Sequence, residues 1–236
     1  LIEEGWRAAL GGEVLDQARV LMTHGSIYLA SGGPFDLALI PLIESVKICL
    51  KHNLKLEVEA RGNLGLAYSQ LGRFDEALHE YQTALHLSQE HADTYREALT
   101  LGRIAACYCS QGYAQEAIPS LERAITLSHS IGLRYEEAKN LSNLGFVHYQ
   151  IGNVSNGIEF YDKALVLSKA IGARSSEAHI LGATALYKYL HCDPEKASQQ
   201  LHLALEIHKD LNDRDGQGFI LSQLGLLHHW GGQLEQ

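Results

Sequence analysis

The segment Asn63-Leu64-Gly65-Leu66-Ala67-Tyr68-Ser69-Gln70-Leu71-Gly72-Arg73-Phe74-Asp75-Glu76-Ala77, followed at fixed distance by Tyr81 and Ala84-Leu85, decides the fold. Small and apolar residues recur at helical spacing on both sides of Gly72-Arg73, which reads as helix, turn, helix. Gly suits a helix C-terminus because it adopts a left-handed backbone at no steric cost. Shifted by 40 residues, the pattern reappears along the chain. Units are expected at about 16–55, with one extra residue near Pro34, then at 56–95, 96–135, 136–175 and 176–215, with a partial unit at 216–236.

Equivalent positions explain why the units repeat. One column reads Gly25, Gly65, Ala105, Gly145, Ala185, Gly225; a second reads Ala38, Ala77, Ala117, Gly157, Ala197; a third reads Ser45, Ala84, Ala124, Ala164, Ala204. Between them runs a large column of Leu42, Tyr81, Leu121, Tyr161 and Leu201. Large residues opposite small ones at a fixed pitch let two helices approach closely. Each unit breaks at Gly72, Gly112, Gly152 or Cys192-Asp193-Pro194, and again at Ala92-Asp93, Gly132-Leu133, Gly172-Ala173 and Asn212-Asp213. All are turn or cap chemistry.

On these residues the chain resembles the tetratricopeptide repeat family over nearly its whole length. It departs from that pattern twice. The Trp early in the first helix is replaced by Arg61, Leu101, Leu141, Leu181 and Leu221, and the closing Pro by Gln89, His129, Lys169 and Lys209. The longer second helix that follows is similar to the arrays of spindle-polarity adaptors, kinesin light chains, bacterial signal-transduction ATPases and transcription activators. The resemblance implies an all-α fold: a right-handed superhelical solenoid of antiparallel helix pairs, about 12 helices, in a single array over 1–236. It also implies a concave groove lined by first helices. The function it suggests is a non-catalytic scaffold that binds a peptide or helix of another protein in that groove. The alternative is an effector-sensing or autoinhibitory arm of a larger signal-transduction ATPase or transcription activator.

Helical period combined with family geometry places groove candidates relative to Gly65 and its equivalents. Two positions before lie Asn63, Arg103, Asn143 and Gln223; five after lie Gln70 and Gln150; Lys139 joins them. Amide and guanidinium groups suit an extended peptide, since Asn both donates and accepts and Arg clasps a carboxylate at two points. The same residues also read as a solvated polar face. Phe146, Tyr149, Tyr189, Leu186 and Trp230 fall on the same face toward the C-terminus. They read either as anchors for a partner or, with a one-residue drift, as core between repeats.

Composition excludes other classes. Of the 236 residues, 46% are hydrophobic and 20% charged, enough apolar material for a continuous core. Lys and Arg number 19 against 28 Asp and Glu, a net charge of -9 and the wrong sign for a nucleic-acid footprint. No apolar window reaches 18 residues and no leader pattern opens the chain, so neither a membrane span nor secretion is expected. Cys49, Cys107, Cys109 and Cys192 lack framework spacing, which fits a reducing, cytoplasmic setting. The sequons at Asn140 and Asn153 stand alone against it. The 13 histidines lack ligand spacing, so no metal is expected, and no phosphate loop, dinucleotide fingerprint or nucleophile elbow is present. Neither catalysis nor a cofactor is therefore expected. Charge is uneven, net -5 over 56–95 and -3 over 176–215. Residues 1–12 read as a remnant of a preceding helix, and the ends read as those of a fragment of a longer protein. Expected partners are a protein or peptide, other domains of the parent chain, and further copies through exposed terminal repeats.

Overall fold

A computed structural model describes residues 13–191 and 194–234. The described residues form eleven α-helices and no strand. They are α1 (Val14–Ala30), α2 (Phe35–His52), α3 (Glu57–Gln70), α4 (Phe74–Glu90), α5 (Thr94–Ser110), α6 (Ala114–Ser130), α7 (Arg134–Gln150), α8 (Val154–Ala170), α9 (Arg174–His191), α10 (Pro194–Asp210) and α11 (Arg214–Leu234). The count is one short of about twelve; the helix expected within 1–12, and the Cys192-Asp193 turn, lie outside the described residues. The chain is all-α, built of consecutive helix pairs, and it divides between Ile131 and Gly132 into two compact units. The first holds α1 to α6 and the second α7 to α11.

Within each unit successive helices pack on one another. First helices of neighbouring pairs also touch: α1 with α3, α3 with α5, and α9 with α11. The small-residue columns make this possible. Ala38, Ala77, Ala117 and Ala197 are fully buried, as are Ser45, Ala84, Ala124, Ala164 and Ala204, and so are the large residues Leu42, Tyr81, Leu121, Tyr161 and Leu201 between them. A Cβ on Gly65 would lie 2.7 Å from the Tyr81 ring. One on Gly145 would lie 3.0 Å from both the Gly157 carbonyl oxygen and the Tyr161 ring. The backbones therefore meet where no side chain intervenes. Gly225 differs: it is exposed, and a Cβ there meets nothing within 4 Å.

The turns follow the sequence. Gly72 adopts φ 73°, and the Arg73 N–H donates to the Tyr68 carbonyl at 2.9 Å, closing α3. Ala92 holds the equivalent left-handed conformation, φ 52°, without glycine's freedom. The next residue, Asp93, caps α5 by accepting from the Arg96 N–H at 3.0 Å.

Two buried polar features mark the units. In the first, Arg61 stands where the family carries Trp. It is 9% exposed and donates to Glu57 at 2.7 Å and to Glu80 at 2.6 Å. Burial works against its charge, but the two carboxylates outweigh it and raise its pKa. In the second, Asn140 is fully buried with neither side-chain atom hydrogen-bonded. Among the described residues no helix is long and apolar enough to cross a membrane.

Candidate functional site

In the first unit a cleft of about 240 Å³ opens between α3 and α5. Asn63 and Arg103 line it together, with Glu59, Tyr95 and Arg96. Gly62 shapes it: a Cβ there would lie 2.6 Å from an Arg103 Nη, so the missing side chain lets the guanidinium lie against α3. Arg96 is already satisfied, 2.9 Å from Glu59 and 2.7 Å from Asp93. Its pKa is raised by the Asp93 hydrogen bond first and by Glu59 as well, with burial opposing. Arg103 is half-buried and makes no hydrogen bond or ion pair among the described residues. Asn63 donates to the Ser26 hydroxyl at 3.1 Å, which fixes its amide, and its carbonyl oxygen has no hydrogen-bond partner among the described residues.

The second unit carries a larger cleft, about 410 Å³, walled by α7, α9, the end of α10 and the start of α11. Lys139 and Asn143 line it with Ser175, Ser176, His179 and His208. Lys139 is 2.6 Å from Glu136. His208 is 3% exposed; its Nδ1 lies 2.8 Å from Asp213 Oδ2, and its Nε2 is shielded from water without a partner. Asp213 also accepts from the Gly216 N–H at 3.0 Å, capping α11. That bond, with the one to His208, holds its carboxyl below the usual range. His179 stacks on Phe219 with ring centroids 6.3 Å apart. Crowding by the cleft walls, then the neighbouring His208, push its pKa down although water reaches the ring.

The remaining candidates lie outside both clefts. Gln70 and Gln150 are exposed at the ends of α3 and α7, and Gln223 is half-buried on α11. Phe146 and Tyr149 are 43% and 37% exposed on α7, so no drift has taken them into the core. Tyr189 and Leu186 are half-buried, packed on the core around Leu181, Leu201 and Ile207. The side chain of Trp230 lies outside the described residues. His148 stacks on Phe160 at 5.2 Å, whereas His228 is exposed. Among the described residues no three His, Cys, Asp or Glu side chains gather as metal ligands would.

Sequence reasoning missed Gly62, the Glu59 and Arg96 pair, and His208 with Asp213. The first two pair residues of adjacent units 37 or more positions apart. The third was within reach, because a residue in the last turn of one helix sits beside the N-cap of the next.

The tetratricopeptide repeat family model matches residues 56–130. No curated protein matches the chain. Solved structures share its fold. Aspartyl phosphate phosphatase F from Bacillus subtilis is 12% identical with a TM-score of 0.75, covering 96% of this chain and 64% of its own. A Pyrococcus horikoshii signal-transduction ATPase with numerous domains, bearing a tetratricopeptide repeat sensor, is 15% identical with a TM-score of 0.74, covering 99% and 40%. The Rap conjugation gene regulator of plasmid pLS20, in complex with the Phr* peptide, is 14% identical with a TM-score of 0.73, covering 91% and 60%. The chain thus spans less than two thirds of each of these proteins. Residues 56–130 thus match the tetratricopeptide repeat family, and the helix pairs and small-residue columns continue the same 40-residue pattern on both sides of that match.

Proposed function

We propose that the chain is a protein-interaction module, not an enzyme, whose first helices offer a binding surface to a peptide or helix of a partner. The observation that carries this reading is Arg103. A guanidinium half-removed from water and unpaired beside the oriented amide of Asn63 gains most from an incoming carboxylate, which it can clasp in two places. The peptide held by the Rap regulator, a protein of the same fold, supports a peptide-type ligand. In this reading Gln70, Lys139, Asn143, Phe146, Tyr149, Gln150, Tyr189 and Gln223 extend the surface beyond Asn63 and Arg103. Partners are proteins or peptides, other domains of the parent chain included, and the setting is cytoplasmic.

The alternative, an effector-sensing arm of a larger ATPase or activator, is supported by the fold shared with the archaeal ATPase and its repeat sensor. Selection of displayed random peptides on the intact chain tests the main reading. It predicts a common motif containing Asp, Glu or a free C-terminus, with enrichment lost in Asn63→Ala/Arg103→Ala while helicity is kept. Enrichment undiminished in the double variant would remove this cleft from the account. A chain that selects no peptide and is stabilised by a small metabolite would favour the sensor.

A further inference from the structure

The cleft between α3 and α5 holds two arginines but offers one. Arg96 is taken up by two carboxylates, Asp93 at 2.7 Å and Glu59 at 2.9 Å. Glu59 reaches it from α3, and both residues line the cleft with Arg103. Arg96 and Arg103 together are balanced by Glu59 and Asp93, so the local charge sums to zero although Arg103 has no ion pair among the described residues. A second donor stands beside the guanidinium. Thr100 lines the cleft and is 4% exposed, and its hydroxyl makes no hydrogen bond among the described residues. Unlike His208 Nε2, its oxygen is not sealed from solvent, and the cleft is the space that Thr100 lines. Thr100 and Arg103 lie three positions apart on α5, where helical side chains are neighbours. A carboxylate set between them accepts from the guanidinium with one oxygen and from the hydroxyl with the other, and the buried hydroxyl gains the partner it lacks. A carboxylate brings one negative charge, which Arg103 matches. A phosphate brings about −1.5 to −2 at pH 7, and its surplus faces Glu59.

We propose that this cleft selects a carboxylate over a phosphate, seating it between Arg103 and Thr100, and that Glu59 sets the preference by occupying Arg96. The carboxylate comes from an Asp or Glu side chain of the partner peptide or from its C-terminus, and the chemistry at the cleft is the same. The inference rests on the proposed reading of the chain as a peptide-binding module, and adds to it two residues, Thr100 and Glu59, which that reading does not need.

Titration of the intact chain, followed by backbone amide chemical shifts, tests it with four probes: acetyl-Ala-Asp-Ala-amide, its Asn and phosphoserine counterparts, and acetyl-Ala-Ala-Ala with a free C-terminus. Saturable shifts at Thr100 and Arg103 are expected with the Asp probe, with the free C-terminus, or with both, and none with the Asn probe. The Asp probe alone identifies a side chain as the source; the free C-terminus alone identifies the chain end. The phosphoserine probe is expected to bind no more tightly than the better carboxylate. At a partly exposed site one unit charge changes affinity about threefold, so Glu59→Gln is expected to strengthen carboxylate binding about threefold and phosphoserine binding about tenfold. Thr100→Val, which keeps the shape of the side chain, is expected to weaken carboxylate binding about tenfold. Tighter binding of phosphoserine by the parent chain, equal gains for both anions in Glu59→Gln, or unaltered affinity in Thr100→Val would overturn the proposal and leave the peptide reading standing. No saturation by either carboxylate, or saturation undiminished in Asn63→Ala/Arg103→Ala, would remove both. The Glu59 variant, at a partly exposed position, decides the matter even if Thr100→Val fails to fold.

Discussion

The two clefts are built from the same parts and end with opposite charge. In the first unit two arginines enter the space between α3 and α5; carboxylates satisfy Arg96, and Arg103 is left over. In the second, the lysine is cancelled by Glu136, Asp213 is bonded to His208 Nδ1, and Asp215 is left without an ion pair among the described residues. A repeat fold fixes where first-helix side chains emerge, not which of them are already paired. In the proposed reading, ligand preference resides in the leftover charge, which local pairing decides and net composition hides.

The scaffolds that hold the clefts can be broken separately. The largest effect is expected from Gly145→Leu, because backbone of α8 cannot yield to a new side chain. A loss of about 3 kcal/mol, and a melting temperature lower by roughly 6–12 °C, should follow. Gly225→Leu, facing open space, is expected to stay within about 0.5 kcal/mol of the parent in the same calorimetric scan.

Next comes the buried arginine of the first unit. Arg61→Leu installs the residue that occupies the same position in four other units but strands Glu57 and Glu80. It is expected to cost about 3 kcal/mol in urea unfolding. Replacing Glu57 by Gln and Glu80 by Leu in that background should restore most of the loss. If the single variant were neutral, the network would be ornamental.

In the second unit the buried polar residue works the other way. Asn140→Leu removes two unsatisfied groups at a position where Ile180 and Ile220 are also fully buried. A gain of about 1–2 kcal/mol is expected, read as a higher urea midpoint.

The smallest effect concerns acid. Burial raises the Asp93 pKa, but the hydrogen bonds from the Arg96 N–H and guanidinium prevail and lower it. A depressed folded-state value means the contribution is full above the unfolded value of about 3.9 and disappears as pH falls through the folded one. Asp93→Asn keeps a capping oxygen without the titration. Its melting temperature should match the parent near pH 6 within about 1 kcal/mol of stability and fall less steeply below pH 4.

The fold was legible because packing constrained one column at a time. Gly65 against Tyr81 and Gly145 against Tyr161 are opposites forced by backbone approach, and a 40-residue shift exposes them without any structure. The clefts were legible only in part. Position two before the glycine did put Asn63 and Arg103 side by side, because helical period sets direction. Period does not show that Arg96 is consumed by Glu59 and Asp93 while Arg103 makes no ion pair among the described residues, since pairing depends on rotamers and on residues 37 positions away. Histidine spacing measured along one helix likewise overlooked His208, whose partner lies beyond the turn. Asn140 read as a sequon because its burial follows from neighbours, not from its own triplet.

Amide hydrogen exchange on the intact chain, with and without a peptide selected on it, tests the central claim most directly. The account predicts added protection over 59–70 and 95–106, on α3 and α5, with α4 and α6 unchanged and no protection in Asn63→Ala/Arg103→Ala. Protection confined to α4 and α6, or undiminished in the double variant, would contradict it.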